Sequence, residues 1–298
     1  MRRQPKFAGL FRPCLPALAG LAALAAPASA EVTLLWRSST GFVSPESVEW
    51  DAAAGLAYVS NMGANPMAAD GDGYIATMDA SGTLIAEKWA TGLNAPKGMA
   101  VVGGKLYTAD LTELVEIDTA TGKVTNRYPA TGAVFLNDVA AAPDGRLFIS
   151  DTFASSVWVF DGSAMSLLVQ DPALMGANGL TVIGDALVVA NLGDISKGFE
   201  NITPGWVVQV DLASKAITPY GATDPSGVLD GIEPDGKGGV LFTDNMGGRL
   251  MRQAPGGGAE MAGMLEPGAA DMDFVPDQGL ILVPLTPGNA VIGLKLAE

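Results

Sequence analysis

Residues 229–245 read LDGIEPDGKGGVLFTDN. An aspartate heads the stretch, an apolar run follows, then a Gly-rich turn, then a second apolar run closing on polar groups. Alone, the Asp-Gly at its head is unremarkable, because that pair is common in turns. The phrase, however, recurs. ESVEWDAAAGLAYVSN starts at Glu46, KGMAVVGGKLYTAD at Lys97, NDVAAAPDGRLFISD at Asn137, NGLTVIGDALVVAN at Asn178 and DGIEPDGKGGVLFTD at Asp230. A worn copy, ADMDFVPDQGLILVP, starts at Ala270. The starts lie 51, 40, 41, 52 and 40 residues apart. A period of ~40–50 residues built from short strands and Gly-rich turns marks the blades of a propeller.

Between these phrases lie further pairs of apolar runs. TELVEIDTATGKVTNRYP, SSVWVFDGSAMSLLVQ and GWVVQVDLASKAITPY are rich in Val, Ile, Leu and Tyr and break at T-G, D-G or L-A-S. They read as hairpins. Each repeat thus supplies four antiparallel strands, a to d. The last copy supplies only three, ending in VIGLKL, and VTLLWRS near the other end can provide the fourth. Closing the ring in this way removes exposed strand edges. The expected fold is all-β: a six-bladed β-propeller over residues 31–298, closed by the N-terminal strand of the processed chain.

Residues 1–30 are set apart from that fold. Arg2, Arg3, Lys6 and Arg12 precede the apolar run LPALAGLAALAA, and Ala28-Ser29-Ala30 offers a small-residue cleavage site. The pattern is that of a secretory signal peptide, too short to span a membrane. The expectation is a periplasmic or secreted, monomeric protein with no membrane association once processed. Cys14 would leave with the leader.

The processed chain keeps 13 of the 17 basic residues and all 32 acidic ones, a net charge of −19. Such a charge repels phosphate backbones, so nucleic acid is not an expected partner; small cations are. The full chain has no histidine, and its single cysteine is Cys14. That excludes a Ser-His-Asp triad, an imidazole base, His-ligated zinc and thiolate chemistry. No G-x-S-x-G elbow is present. Asp70-Gly-Asp-Gly73 lacks the full spacing of a calcium loop and reads as a hairpin turn.

In a propeller strand a lines the central channel, so its first residue stands near one mouth. Those residues are Glu46, Lys97, Asn137, Asn178, Asp230 and Ala270, five of them polar. One slot carrying carboxylate, ammonium and amide groups is more than a repeated turn motif. Two carboxylates and two amides give hard oxygen ligands with a formal charge of −2, suited to a divalent cation such as Ca²⁺. Each residue taken singly also serves as an ordinary strand start bonded to its neighbour.

At these residues the sequence resembles the SMP-30/gluconolactonase-like six-bladed propellers. PESVEWD around Glu46, FLNDVAAAPDG around Asn137, ANGL around Asn178 and LDGIEPDG around Asp230 carry the resemblance. It implies that Glu46, Asn178 and Asp230 bind the metal, and that Asn137 joins the metal site or the substrate. It also implies that Asp230 is the general base of a hydrolase acting on a lactone or related ester. Sugar-lactone hydrolases of that family often carry Arg two residues before the third-blade Asn; here the residue is Phe135. A small-molecule substrate less polar than a sugar lactone is therefore expected, contacting Asn137, Phe135 and Lys97. Lys97 has three possible roles: pairing with Glu46, pairing with Asp110, or meeting an anionic substrate. The alternative function is a non-catalytic propeller that binds a ligand or partner around a structural calcium. Residues 61–73 and 191–205 lengthen two repeats, and Met62, Met67, Ile195 and Phe199 in them are expected to flank the mouth from opposite sides.

Overall fold

The computed structural model describes residues 32–297, so the expected leader lies outside it. The chain forms six four-stranded antiparallel sheets. The first is Pro45–Asp51, Leu56–Asn61, Gly73–Met78 and Leu84–Leu93; the second is Pro96–Val102, Lys105–Asp110, Glu113–Asp118 and Lys123–Pro129. The third is Leu136–Ala141, Leu147–Asp151, Ser156–Phe160 and Met165–Gln170. The fourth is Ala177–Ile183, Ala186–Asn191, Val207–Asp211 and Ile217–Pro219. The fifth is Leu229–Pro234, Val240–Asp244, Arg249–Gln253 and Ala259–Met264. In the sixth, Asp273–Val275, Leu280–Leu285 and Ala290–Leu296 are joined on the outside by Val32–Ser38, with Val32 opposite Leu296. Each strand a packs against strand a of the next sheet, and the sixth returns to the first. This is a six-bladed β-propeller.

Both faces of a blade are covered by neighbouring blades, which explains the almost unbroken apolar strands b, such as LFISD and VLFTD. Leu241 and Leu250 of blade five pack with Ile281, Val283 and Leu294 of blade six. Val48, Val59 and Ala76 of blade one pack with Leu282 and Val291 of blade six. Burying each Leu or Val contributes about 1.5–3 kcal/mol. The polar residue that ends strand b latches the loop leading into strand a. Asp110 accepts from the N–H groups of Asn94 and Ala95 at 2.9 and 2.8 Å, Asp151 from those of Val134 and Phe135 at 2.7 and 2.9 Å. Asn61 and Asp244 do the same for Val43 and Val228. Asn191, the fourth-blade counterpart, is buried with neither amide atom bonded.

Two features of strand a position the site. The first is a register shift at the same place in five blades, between Pro45 and Val48, Pro96 and Met99, Leu136 and Val139, Ala177 and Leu180, and Leu229 and Ile232. A bulge breaks the strict alternation of side chains and re-aims them. The second is the glycine following three of the first-slot residues. A Cβ on Gly98 would stand 2.2 Å from Asp138 Oδ1, on Gly179 2.1 Å from the Asp230 carbonyl oxygen, and on Gly231 2.4 Å from the Met272 nitrogen. The glycine of the opening Asp-Gly therefore serves no turn. It lies within strand a and makes room for the backbone of the next blade.

Candidate metal and substrate site

All six predicted side chains, Glu46, Lys97, Phe135, Asn137, Asn178 and Asp230, line one cavity of ≈ 440 Å³ at a mouth of the channel. They come from five blades, so only ring closure assembles them. The size falls within the range of small-molecule sites. Both long loops reach this cavity: Met62, Pro66 and Met67 from residues 61–73, Leu192 and Ile202 from residues 191–205. Ile195 instead lines a neighbouring groove with Phe153, Met175 and Ser196. Within the first loop, Asp72 accepts from the Ala64 N–H at 3.0 Å, so the Asp-Gly-Asp-Gly stretch serves as loop architecture.

The amide of Asn178 is oriented without ambiguity. Its Nδ2 donates to the Leu229 carbonyl and to Asp230 Oδ1, each at 3.1 Å. The Leu229 carbonyl can only accept, so nitrogen must face it and oxygen must face the other way. That Oδ1 is buried and has no partner, and neither has Glu46 Oε2. Orphaned buried oxygens are rare and ask for an unseen donor or cation. Asp230 is held at both oxygens, Oδ1 by Asn178 and Oδ2 by Asn245 Nδ2 at 2.8 Å. Asn137 spends its Nδ2 on Thr152 Oγ1 at 3.1 Å, and Thr152 donates onward to the Ala177 carbonyl at 2.9 Å.

The electrostatics report the same deficit. Burial first, then the charge of Asp230, holds the Glu46 carboxyl well above its ordinary range, with Lys97 opposing. Burial pushes Asp230 up to about 7 against the hydrogen bond from Asn245, and Asp138 adds to the rise. Two close carboxylates with unbonded oxygens fit a hard divalent cation, which would supply the missing positive charge. Among the described residues no group of three or more Asp, Glu, His or Cys side chains is arranged to hold a metal. The candidate set differs in kind, since amide oxygens make up its number.

Lys97 pairs with neither expected carboxylate. Its ammonium donates to the Ala95 carbonyl at 2.9 Å and lies 4.3 Å from the centre of the Phe135 ring. Asp110 is bonded to backbone N–H groups and lies 3.7 Å from Arg127 Nη1. Phe135 also stacks on Phe153, ring centres 4.4 Å apart and planes 10° from parallel.

The expectations from sequence omitted Thr152, Phe153 and Asn245. A signal for two of them was available. The residue directly after strand b lines the cavity in five blades, as Met62, Thr152, Leu192, Asn245 and Thr286. It is a second repeated slot, hidden because its chemistry varies more than that of the first.

No protein-family model matches the chain, and no curated protein does. Solved structures match its shape along most of its length. A gluconolactonase from Xanthomonas campestris superposes with a TM-score of 0.64 at 16% identity, covering 89% of each chain. A calcium-binding regucalcin from Agrobacterium tumefaciens gives 0.63 at 17% identity, covering 88% of this chain and 94% of its own. The fold is that of the SMP-30/gluconolactonase-like propellers. Virginiamycin B lyase from Staphylococcus aureus also superposes, with a TM-score of 0.61 at 13% identity, covering 89% of this chain and 99% of the lyase.

Proposed function

We propose that this chain is an exported hydrolase of a lactone or related ester, dependent on a divalent cation, with Ca²⁺ the best-suited ion. The observation that carries the reading is the pair of buried, unbonded oxygens, Glu46 Oε2 and Asn178 Oδ1, in one cavity with the doubly held carboxylate of Asp230. The gluconolactonase and the calcium-binding regucalcin of the same shape lend support. The lyase chemistry does not carry over: a histidine-to-alanine change inactivates that enzyme, and this chain has no histidine.

Glu46, Asn178 and Asp230 would hold the ion, which would polarise the ester carbonyl and stabilise the oxyanion. The chain's own part is orientation and proton transfer. Asn178 and Asn245 fix the Asp230 carboxylate, leaving it poised to orient a water and accept its proton. Asn137, its nitrogen occupied by Thr152, presents its oxygen to substrate or ion. Met62, Met67, Val228 and Met246 supply apolar walls for a substrate poorer in hydroxyls than a sugar.

One observation favours the non-catalytic alternative: position 135 offers no polar group to a substrate. The deciding experiment is a screen of aryl esters and lactones with Ca²⁺ and with chelator, alongside calorimetric titration of Ca²⁺. Hydrolysis that chelation abolishes supports the enzyme. Tight Ca²⁺ binding with no turnover on any ester overturns it in favour of the binding propeller.

A further inference from the structure

Lys97 is 1% exposed, among the most buried large side chains of the protein. A buried ammonium is costly unless its charge and its three donors are satisfied. One donor reaches the Ala95 carbonyl. Among the described residues no carboxylate lies within ion-pair distance of it, while its side chain lines the cavity. Two donors are left to face cavity contents.

Its orientation is fixed by aromatic packing. Phe153 stacks in parallel on Phe135 at 4.4 Å, and the ammonium sits 4.3 Å from the centre of the same ring. Both groups pack against the Phe135 ring and hold it in place. Phe135 therefore serves as a cation–π support for Lys97. The charge balance follows. A divalent cation would neutralise Glu46 and Asp230, and the Lys97 charge would remain in a cavity whose walls include Met62, Leu192, Ile202 and Val228.

We infer that Lys97 anchors a carboxylate, so that the ligand of this cavity is an apolar molecule bearing one free carboxylate away from its ester or lactone group. This deepens the hydrolase reading and rests on it for the ester. A monoanion cancels the single residual charge, and a carboxylate can accept both free donors. The apolar body faces the methionines, and the ester carbonyl faces Glu46, Asn178 and Asp230 across the cavity. The large negative charge of the chain opposes approach from afar, but beyond about 8 Å it is screened at physiological salt.

The test uses Ca²⁺-loaded protein and calorimetry, with 3-phenylpropionate and its neutral amide as probes. The carboxylate should bind at least 10-fold tighter than the amide. Lys97→Met, which keeps the stem and removes the charge, should bring the carboxylate down to the amide's affinity, and Lys97→Arg should restore part of the difference. Equal affinities of the two probes for the unaltered protein would overturn the anchor without recourse to any variant. A preference surviving Lys97→Met would place the carboxylate on the cation and overturn it too. Turnover separates the two proposals. Selective carboxylate binding without hydrolysis of any ester would sink the hydrolase and leave the anchor; hydrolysis of neutral esters without that preference would sink the anchor alone.

Discussion

In the function we propose, Glu46 serves a ligand at the expense of the fold. In the absence of a cation its carboxylate is buried beside Asp230 with one oxygen unbonded. Glu46→Gln removes that charge at nearly constant shape. It should raise the melting temperature measured in chelator, and it should abolish most of the rise that Ca²⁺ produces in the parent protein. A scanning calorimeter reads both effects. Asp230→Ala should lower kcat/KM for a confirmed ester by ~10²–10⁴, the range typical of a general base, and weaken Ca²⁺ as well; near-parent activity would remove Asp230 from the chemistry. That Glu46, Asn178 and Asp230 meet at one cavity was legible because they occupy one slot of a repeat. The packing around Lys97 and Phe135 was not, because it depends on Phe153, 18 positions from Phe135 in sequence and brought beside it only by the turn after strand b.

The inner strand is the element that converts repetition into a site. Its bulge re-aims the first residues of the strand, and its glycine lets neighbouring strands approach. Gly179→Ala would drive a methyl into the Asp230 carbonyl, a backbone atom with little freedom to yield. Overpacking of this kind costs about 1–3 kcal/mol, and displacement of Asp230 should weaken Ca²⁺ along with stability. Chemical denaturation and a Ca²⁺ titration of the same variant test the coupling; loss of stability with unchanged Ca²⁺ affinity would show that the strand does not tune the ion. The loops behave differently. Cutting residues 61–73 or 191–205 to the length of their counterparts removes cavity walls but none of Glu46, Asn178 and Asp230. Preference across an ester series should change while Ca²⁺ affinity holds. The position of strands was readable from apolar runs and turn residues. The bulges were not, since one extra residue leaves the pattern of a short strand almost untouched.

Across the whole molecule, the other end of the channel gathers acid, and among the described residues no lysine or arginine lines it. Glu49, Glu233 and Asp273 line a cavity there with Asp138 and Asp271. Burial first, then mutual repulsion, holds Glu49 and Glu233 well above the ordinary carboxylate range, and burial puts Asp273 at about 6. A folded-state value raised above the unfolded one gives stability that is complete below the unfolded value and lost as pH climbs through the folded one. Protein in chelator should therefore melt at least about 3 °C higher at pH 5 than at pH 8, the shift that roughly 1 kcal/mol produces in a chain of this size. A flat profile would mean that these groups titrate as if in water. The seam between Val32–Ser38 and Ala290–Leu296 bears on time rather than energy. It joins positions 264 apart, and contacts so distant in sequence form late. Five blades can assemble in order as the chain lengthens, while the sixth must wait for both ends. Until they meet, Leu282 and Val291 lack their settled place against Val48 and Val59, and two raw blade faces stay open to proteases and to other copies of the chain. In the exported chain we propose, the leader is joined almost directly to the strand that must dock last. Its removal would then set the moment at which the ring can lock.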